Sequence, residues 1–167
     1  MSPRQTEVVV KVATPAIYAD LVRFFRAVEA GEHPDEPQAP QRGEAGLRRS
    51  LSTYDFLSSD SAWLLLARVK GEPAGYALVV RIPKADARAG FLFVDELYVL
   101  PSCRRQGVGR SLVTQAQALA SALGLAGVRL LVRLENRAAR ALFRQAGFSE
   151  EPAVFCEWGE GGVVEVG

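Results

Sequence analysis

Between Val94 and Leu123 the chain runs from a β-branched and aromatic stretch through Pro101-Ser102-Cys103-Arg104-Arg105-Gln106-Gly107-Val108-Gly109-Arg110 directly into a helical repeat. Val108, Leu112, Val113, Ala116, Leu119, Ala120 and Leu123 recur at helical spacing, which predicts a long amphipathic helix ending at Gly124. A short apolar strand is expected over Val128 to Leu134, so this stretch reads as strand, helix, strand and calls for a parallel crossover. A strand that ends in a glycine-bearing turn and feeds a helix N-terminus can hold an anion. The first helical N–H groups lack intrahelical partners, and the helix dipole adds about half a positive charge there. Glycine lets a bulky anion approach the backbone because no Cβ stands in the way.

The remaining elements follow from periodicity. Glu7 to Ala13 reads as a strand. Thr14-Pro15 can open a helix whose inner face carries Ile17, Leu21, Phe24, Phe25 and Val28, with Asp20, Arg23 and Arg26 opposite and an end near Gly31. Glu32 to Gly46 contains Pro34, Pro37 and Pro40 without periodicity and is expected to be a loop; Leu47 to Leu57 is a weaker helix. Ala62 to Val69 and Gly75 to Ile82 read as an antiparallel hairpin, Pro83 to Gly90 as a loop, and Phe91 to Leu100 as a further strand. Asn136 is suited to cap a helix with Ala138, Ala141 and Leu142 inward and Gly147 at its end. Ala153 to Trp158 and Val163 to Val166 are expected to form a last hairpin across Gly159-Glu160-Gly161-Gly162.

Composition narrows the function. The 167 residues suit one domain, and with 49% hydrophobic and 23% charged residues the chain can bury a core without disulfides or metals. Twenty Lys and Arg against nineteen Asp and Glu leave a net charge of +1, which argues against nucleic-acid binding through bulk electrostatics. Cys103 and Cys156 are read as free thiols, and the single histidine, His33, removes the HExxH zinc helix, so no metal is expected. No apolar stretch approaches the ~20 residues that span a bilayer, so a soluble, cytoplasmic protein without a membrane partner is expected. Neither a Walker loop nor a dinucleotide fingerprint fits: Gly107-Val108-Gly109-Arg110-Ser111-Leu112 lacks the third glycine.

Arg104-Arg105-Gln106-Gly107-Val108-Gly109 resembles the (Q/R)xxGx(G/A) pattern of the Gcn5-related N-acetyltransferases, known as GNAT proteins. Asn136 through Phe148 resembles the family's NxxAxxLYxxxGF signature, with Phe143 where tyrosine is usual. The two motifs span residues 91 to 150. The resemblance implies an α/β fold with a GNAT-like mixed, mostly antiparallel central sheet, flanking helices and a βαβ acyl-CoA-binding core. It implies one domain over 1–167, with 1–90 as the variable acceptor side, 91–150 as the core and 151–167 as a C-terminal hairpin. Acetyl-CoA would be the cosubstrate. Its pyrophosphate would rest on the backbone of Gln106, Gly107, Val108, Gly109 and Arg110, with Arg104 and Arg105 as phosphate partners. Its pantetheine arm would run along Leu97, Tyr98 and Val99, near Asn136 and Phe143.

The implied reaction is direct transfer of the acetyl group to a small-molecule or protein amine within a ternary complex. An alkylammonium must lose a proton before it attacks. Asp95 and Glu96 are the candidate bases; alternation along a strand sends adjacent side chains to opposite faces, so at most one of them can face the cleft, and Glu96 is favoured. Phe143 cannot replace the family's tyrosine acid, so the proton for the leaving thiolate is left to water, Tyr98 or Cys156. The competing reading of Phe143 is a non-catalytic acyl-CoA-binding or sensor module. A homodimer through the final strands is compatible with this scheme.

Overall fold

The structure is a computed structural model that describes residues 7–159. A five-stranded sheet runs in the order β1 (Val8–Val12), β2 (Ala62–Val69), β3 (Glu72–Ile82), β4 (Phe91–Val99), β5 (Val128–Leu130). The first three pairings are antiparallel and the last is parallel. The helices are α1 (Tyr18–Glu32), α2 (Ala39–Thr53), α3 (Val108–Ala122) and α4 (Arg137–Gln145), with short 3-10 turns at Pro15–Ile17 and Pro101–Cys103. The mixed sheet expected from the sequence is present.

Two cores divide the sheet's faces. Trp63, Leu65, Ala67 and Val69 of β2 pack with Leu92, Val94 and the inner face of α3, whose Val108, Leu112 and Ala116 are at most 1% exposed. Leu64 and Leu66 point the other way and pack with Leu21 and Phe24 of α1 and Leu47 of α2. Strand β2 is therefore apolar on both faces from Ala62 to Ala67, which explains the hydrophobic run that precedes Arg68. Parallel pairing of β4 with β5 requires a long crossover, and α3 supplies it. Helix α1 buries the predicted face, while Asp20 on its flank bonds Arg68 of β2 and Arg23, 2.6 Å away.

Four sequence expectations change. The stretch Glu32 to Gly46 is a loop only as far as Gln38, because α2 starts at Ala39 with Pro40 in its first turn, where a proline costs no hydrogen bond. Its buried stripe, Ala39, Gly43 and Leu47, is mostly small and leaves little hydrophobic signal. A Cβ on Gly43 would stand 2.2 Å from the Phe25 carbonyl oxygen, so α1 and α2 touch backbone to side-chain-free backbone. Strand β5 stops at Leu130 instead of Leu134, since Leu131 and Leu134 have no sheet to cover them and are exposed. In α4 the buried residue is Phe143 and Ala138 is exposed. Ala153 to Trp158 forms no strand among the described residues, having no ladder partner, and Val154, Phe155 and Trp158 are exposed; Val163 to Val166 lies outside the described residues.

Candidate active site at the open edge of strand β4

Strands β4 and β5 pair only from Leu92↔Val128 to Val94↔Leu130 and then separate. Beyond that point β4 has a neighbour on one side only. On that side Leu100 N–H donates to the Ala74 carbonyl at 2.9 Å, and the register Gly75↔Val99, Tyr76↔Tyr98, Ala77↔Leu97 follows. In an antiparallel ladder this parity turns the backbone N–H and C=O of Tyr98 toward β3 and those of Leu97 and Val99 outward. Of the three residues expected to meet a pantetheine arm, Leu97 and Val99 offer main-chain groups to the open edge. Tyr98 contributes its side chain on the α1 face.

Register also changes the reading of the carboxylates. Leu78 pairs with Glu96 but Val79 pairs with Val94, so Asp95 is the extra residue of a β-bulge. The bulge reverses the phase of β4: Leu92 and Val94 face α3 before it, Leu97 and Val99 after it. Simple alternation across residues 95 and 96 is lost. Both carboxylates are exposed, and of the two it is Glu96 that accepts from the Tyr76 hydroxyl.

Tyr76 is the site residue that sequence reasoning missed. It belongs to no motif, and only the β3–β4 register carries it to the site. Its ring lies between Phe24 and Phe25, with centroids 5.5 and 5.1 Å away. Its hydroxyl donates to Glu96 Oε2. Burial first, then this hydrogen bond and the charges of Glu96, Asp95 and Glu32, push its ionisation far above the ordinary phenol range, so Tyr76 remains a donor. Tyr76 and Glu96 line a groove of about 330 Å³ together with Phe25, Leu47, Phe56 and the ion-paired Glu29 and Arg42. A wider, shallow depression of about 670 Å³ along the outer face of α2 touches no residue of β4.

At the far end of β4 the chain turns into α3. Gly107, the N-cap residue, has φ of 84°, and a Cβ there would meet nothing within 4 Å, so this glycine is required by backbone conformation and not by crowding. Arg105 is also left-handed, at φ 61°. Among the described residues, no backbone N–H from Gln106 to Arg110 donates to a backbone carbonyl outside the helix ladder, and the first helical N–H groups have no acceptor within it. Val108 is buried and offers only its backbone, whereas Arg104, Arg105, Gln106 and Arg110 are exposed. The Gln106 side-chain amide donates to the Ser102 carbonyl at 3.0 Å. Gly109 has a packing role: a Cβ there would come within 3.1 Å of Leu142 Cδ2, where α4 leans on α3.

The second motif forms α4 and the turn after it. Asn136 caps α4, its side-chain oxygen accepting from Ala139 N–H at 3.1 Å. Phe143 is 9% exposed and packs against Phe148 at 5.8 Å. Among the described residues no group of three or more His, Cys, Asp or Glu is placed to hold a metal ion, and no helix is long and apolar enough to cross a membrane.

Comparison with known proteins bears on the family and the fold. The profile of the Acetyltransferase (GNAT) family matches residues 15–148. The chain is 34% identical over 108 residues to the aminoglycoside N(6')-acetyltransferase type 1 of Klebsiella aerogenes, a match covering 61% of this chain and 71% of that protein. It is 30% identical over 156 residues to the mycothiol acetyltransferase of Beutenbergia cavernae, covering 89% of this chain but only 51% of that longer protein. Among solved structures, an aminoglycoside N-acetyltransferase in complex with CoA superposes with a TM-score of 0.68 at 18% identity, covering 96% of this chain and 99% of that one, which is a likeness of fold.

Proposed function

The chain belongs to the GNAT acetyltransferase family, and on that premise we propose that it transfers an acetyl group from acetyl-CoA directly to a primary amine of a small molecule, both held in one ternary complex. The observation that carries the proposal is the unpaired edge of β4, where Leu97 and Val99 present main-chain groups beside the Gly107 turn. That edge suits the amides of a pantetheine arm, by the logic of strand addition. The unpaired N–H groups from Gln106 to Arg110, with Arg104 and Arg105 beside them, suit its pyrophosphate.

The amine enters through the groove between α1, α2 and the sheet. Its carboxylates attract an ammonium, and its apolar walls suit an aliphatic or ring-bearing body. Glu96, held by Tyr76, takes the proton from the ammonium directly or through one water. An outward N–H of Leu97 or Val99 stabilises the oxyanion of the tetrahedral intermediate. A thiol of pKa near 8.5 leaves readily as thiolate, so the reaction proceeds with Phe143 in the place of an acid. Tyr98, on the groove side of β4, is the nearest phenol of the strand for the final protonation.

The test is calorimetric titration with acetyl-CoA followed by thiol release with a panel of amines that includes aminoglycosides bearing a 6′-amine. Binding with release is expected. Binding without release across the panel would remove the transferase reading in favour of an acyl-CoA sensor, and absence of binding would remove both.

A further inference from the structure

The open edge of β4 has an occupant of its own. Arg104 Nε donates to the Val99 carbonyl at 3.1 Å, and its guanidinium lies 5.9 Å from the centre of the Tyr98 ring. The turn at Pro101–Cys103 folds the chain back so that a side chain five residues on returns to the end of the strand it has just left. Val99 is one of the two residues whose carbonyl the register turns outward. Arg104 therefore lies along the edge where an incoming amide chain would run. Arg104 makes no ion pair among the described residues, so its charge is free to move to an anion.

We propose that Arg104 is a specificity-determining residue that favours thioester donors carrying a phosphate arm, because it holds the Val99 carbonyl until an anion at the Gly107 turn draws its guanidinium away. The inference rests on the proposed placement of the pantetheine arm along β4. An arginine bound to phosphate makes charge-assisted hydrogen bonds about twice as strong as one bound to a neutral carbonyl. A diphosphate on the N–H groups of residues 106–110 thus offers Arg104 a better partner two to six residues away. A donor that ends at the pantetheine hydroxyl offers none and must displace the arginine unaided. The same residue assists acetyl-CoA and obstructs S-acetylpantetheine.

The variant for the test is Arg104→Met, which keeps an unbranched aliphatic side chain and removes every donor. In this variant S-acetylpantetheine binds about two- to fivefold more tightly than in the wild type, and acetyl-CoA about three- to tenfold more weakly. Equal weakening of both donors, or unchanged S-acetylpantetheine binding, overturns the proposal. A second measurement needs neither donor nor acceptor. With carbonyl-labelled protein, adenosine 3′-phosphate 5′-diphosphate, the nucleotide part of CoA with both phosphates of its diphosphate, moves the Val99 carbonyl resonance of the wild type to its position in Arg104→Met and leaves the variant's own resonance in place. A wild-type resonance that stays still while this nucleotide binds also overturns it. Failure of acetyl-CoA to bind the wild type would instead refute the proposed function.

Discussion

Gly43→Ala sets two effects of opposite sign against each other. In a helix interior, alanine is favoured over glycine by about 1 kcal/mol, so propensity alone makes the substitution stabilising. The structure opposes it. The new methyl would stand 2.2 Å from the Phe25 carbonyl oxygen, 2.8 Å from its carbon and 2.9 Å from Glu29 Cγ. A flexible side-chain end gives way cheaply, but the carbonyl belongs to the backbone of α1. To reach an ordinary contact α2 must withdraw by roughly 1 Å, and overpacking of this kind costs about 1–3 kcal/mol. Because the clash is with backbone, the upper end applies, and the net loss is about 2 kcal/mol. At this chain length that lowers Tm by about 4–8 °C in a calorimetric melt. Gly46→Ala, on the same helix with nothing within 4 Å of the new Cβ, is the control: it raises Tm by about 2–4 °C. Gly43 lies on the wall of the groove, so Gly43→Ala also raises KM for the amine while leaving acetyl-CoA affinity in place. A Gly43→Ala protein that melts at or above the wild-type temperature refutes the close approach of α1 and α2.

Four further outcomes are expected. Glu96→Gln lowers kcat by about 100-fold at neutral pH; an unchanged kcat removes Glu96 as base. Gly107→Ala forces a side chain into φ of 84°, costing about 1 kcal/mol of stability and weakening acetyl-CoA binding at the turn, both read by calorimetry. Asn136→Ala removes the α4 cap and costs about 1 kcal/mol in a denaturant melt; no change in midpoint contradicts the capping bond. Hydrogen bonds from Arg23 and then Arg68 hold Asp20 below its ordinary carboxyl value of 3.8, so its contribution is present above about that pH and is lost as pH falls through the lower folded value; Asp20→Asn flattens this acid limb, and a parallel limb in the variant refutes the assignment.

The parts of the site that were legible in the sequence are those in which one segment makes its own geometry. The Gly107 turn, the helix that follows it and the Asn136 cap each depend on residues within a few positions of one another, and the structure has them where the motifs indicate. The first half of helix α2 was hidden, and only its end was expected, within Leu47 to Leu57, because its buried stripe is built from Ala39 and Gly43, whose value lies in letting another helix come near. Tyr76 was hidden for a different reason. A tyrosine in a hairpin strand carries no signal until the strand opposite it is in register, and that register contains a one-residue bulge.

The sequence by itself determined the order of strands and helices from β1 to α4, the anion-ready turn after β4 and the family, because periodicity, capping and glycine placement act over distances the chain covers in a few residues. The tertiary structure alone decided three things: the β3–β4 register, with its bulge at Asp95, in which Glu96 accepts from Tyr76, the splaying of β4 from β5 that frees Leu97 and Val99, and the return of Arg104 to the Val99 carbonyl. Each of these arises from how strands lie against one another after the chain has folded back on itself. Spacing along the chain leaves that arrangement open, and only the packing of two cores against opposite faces of one sheet selects it.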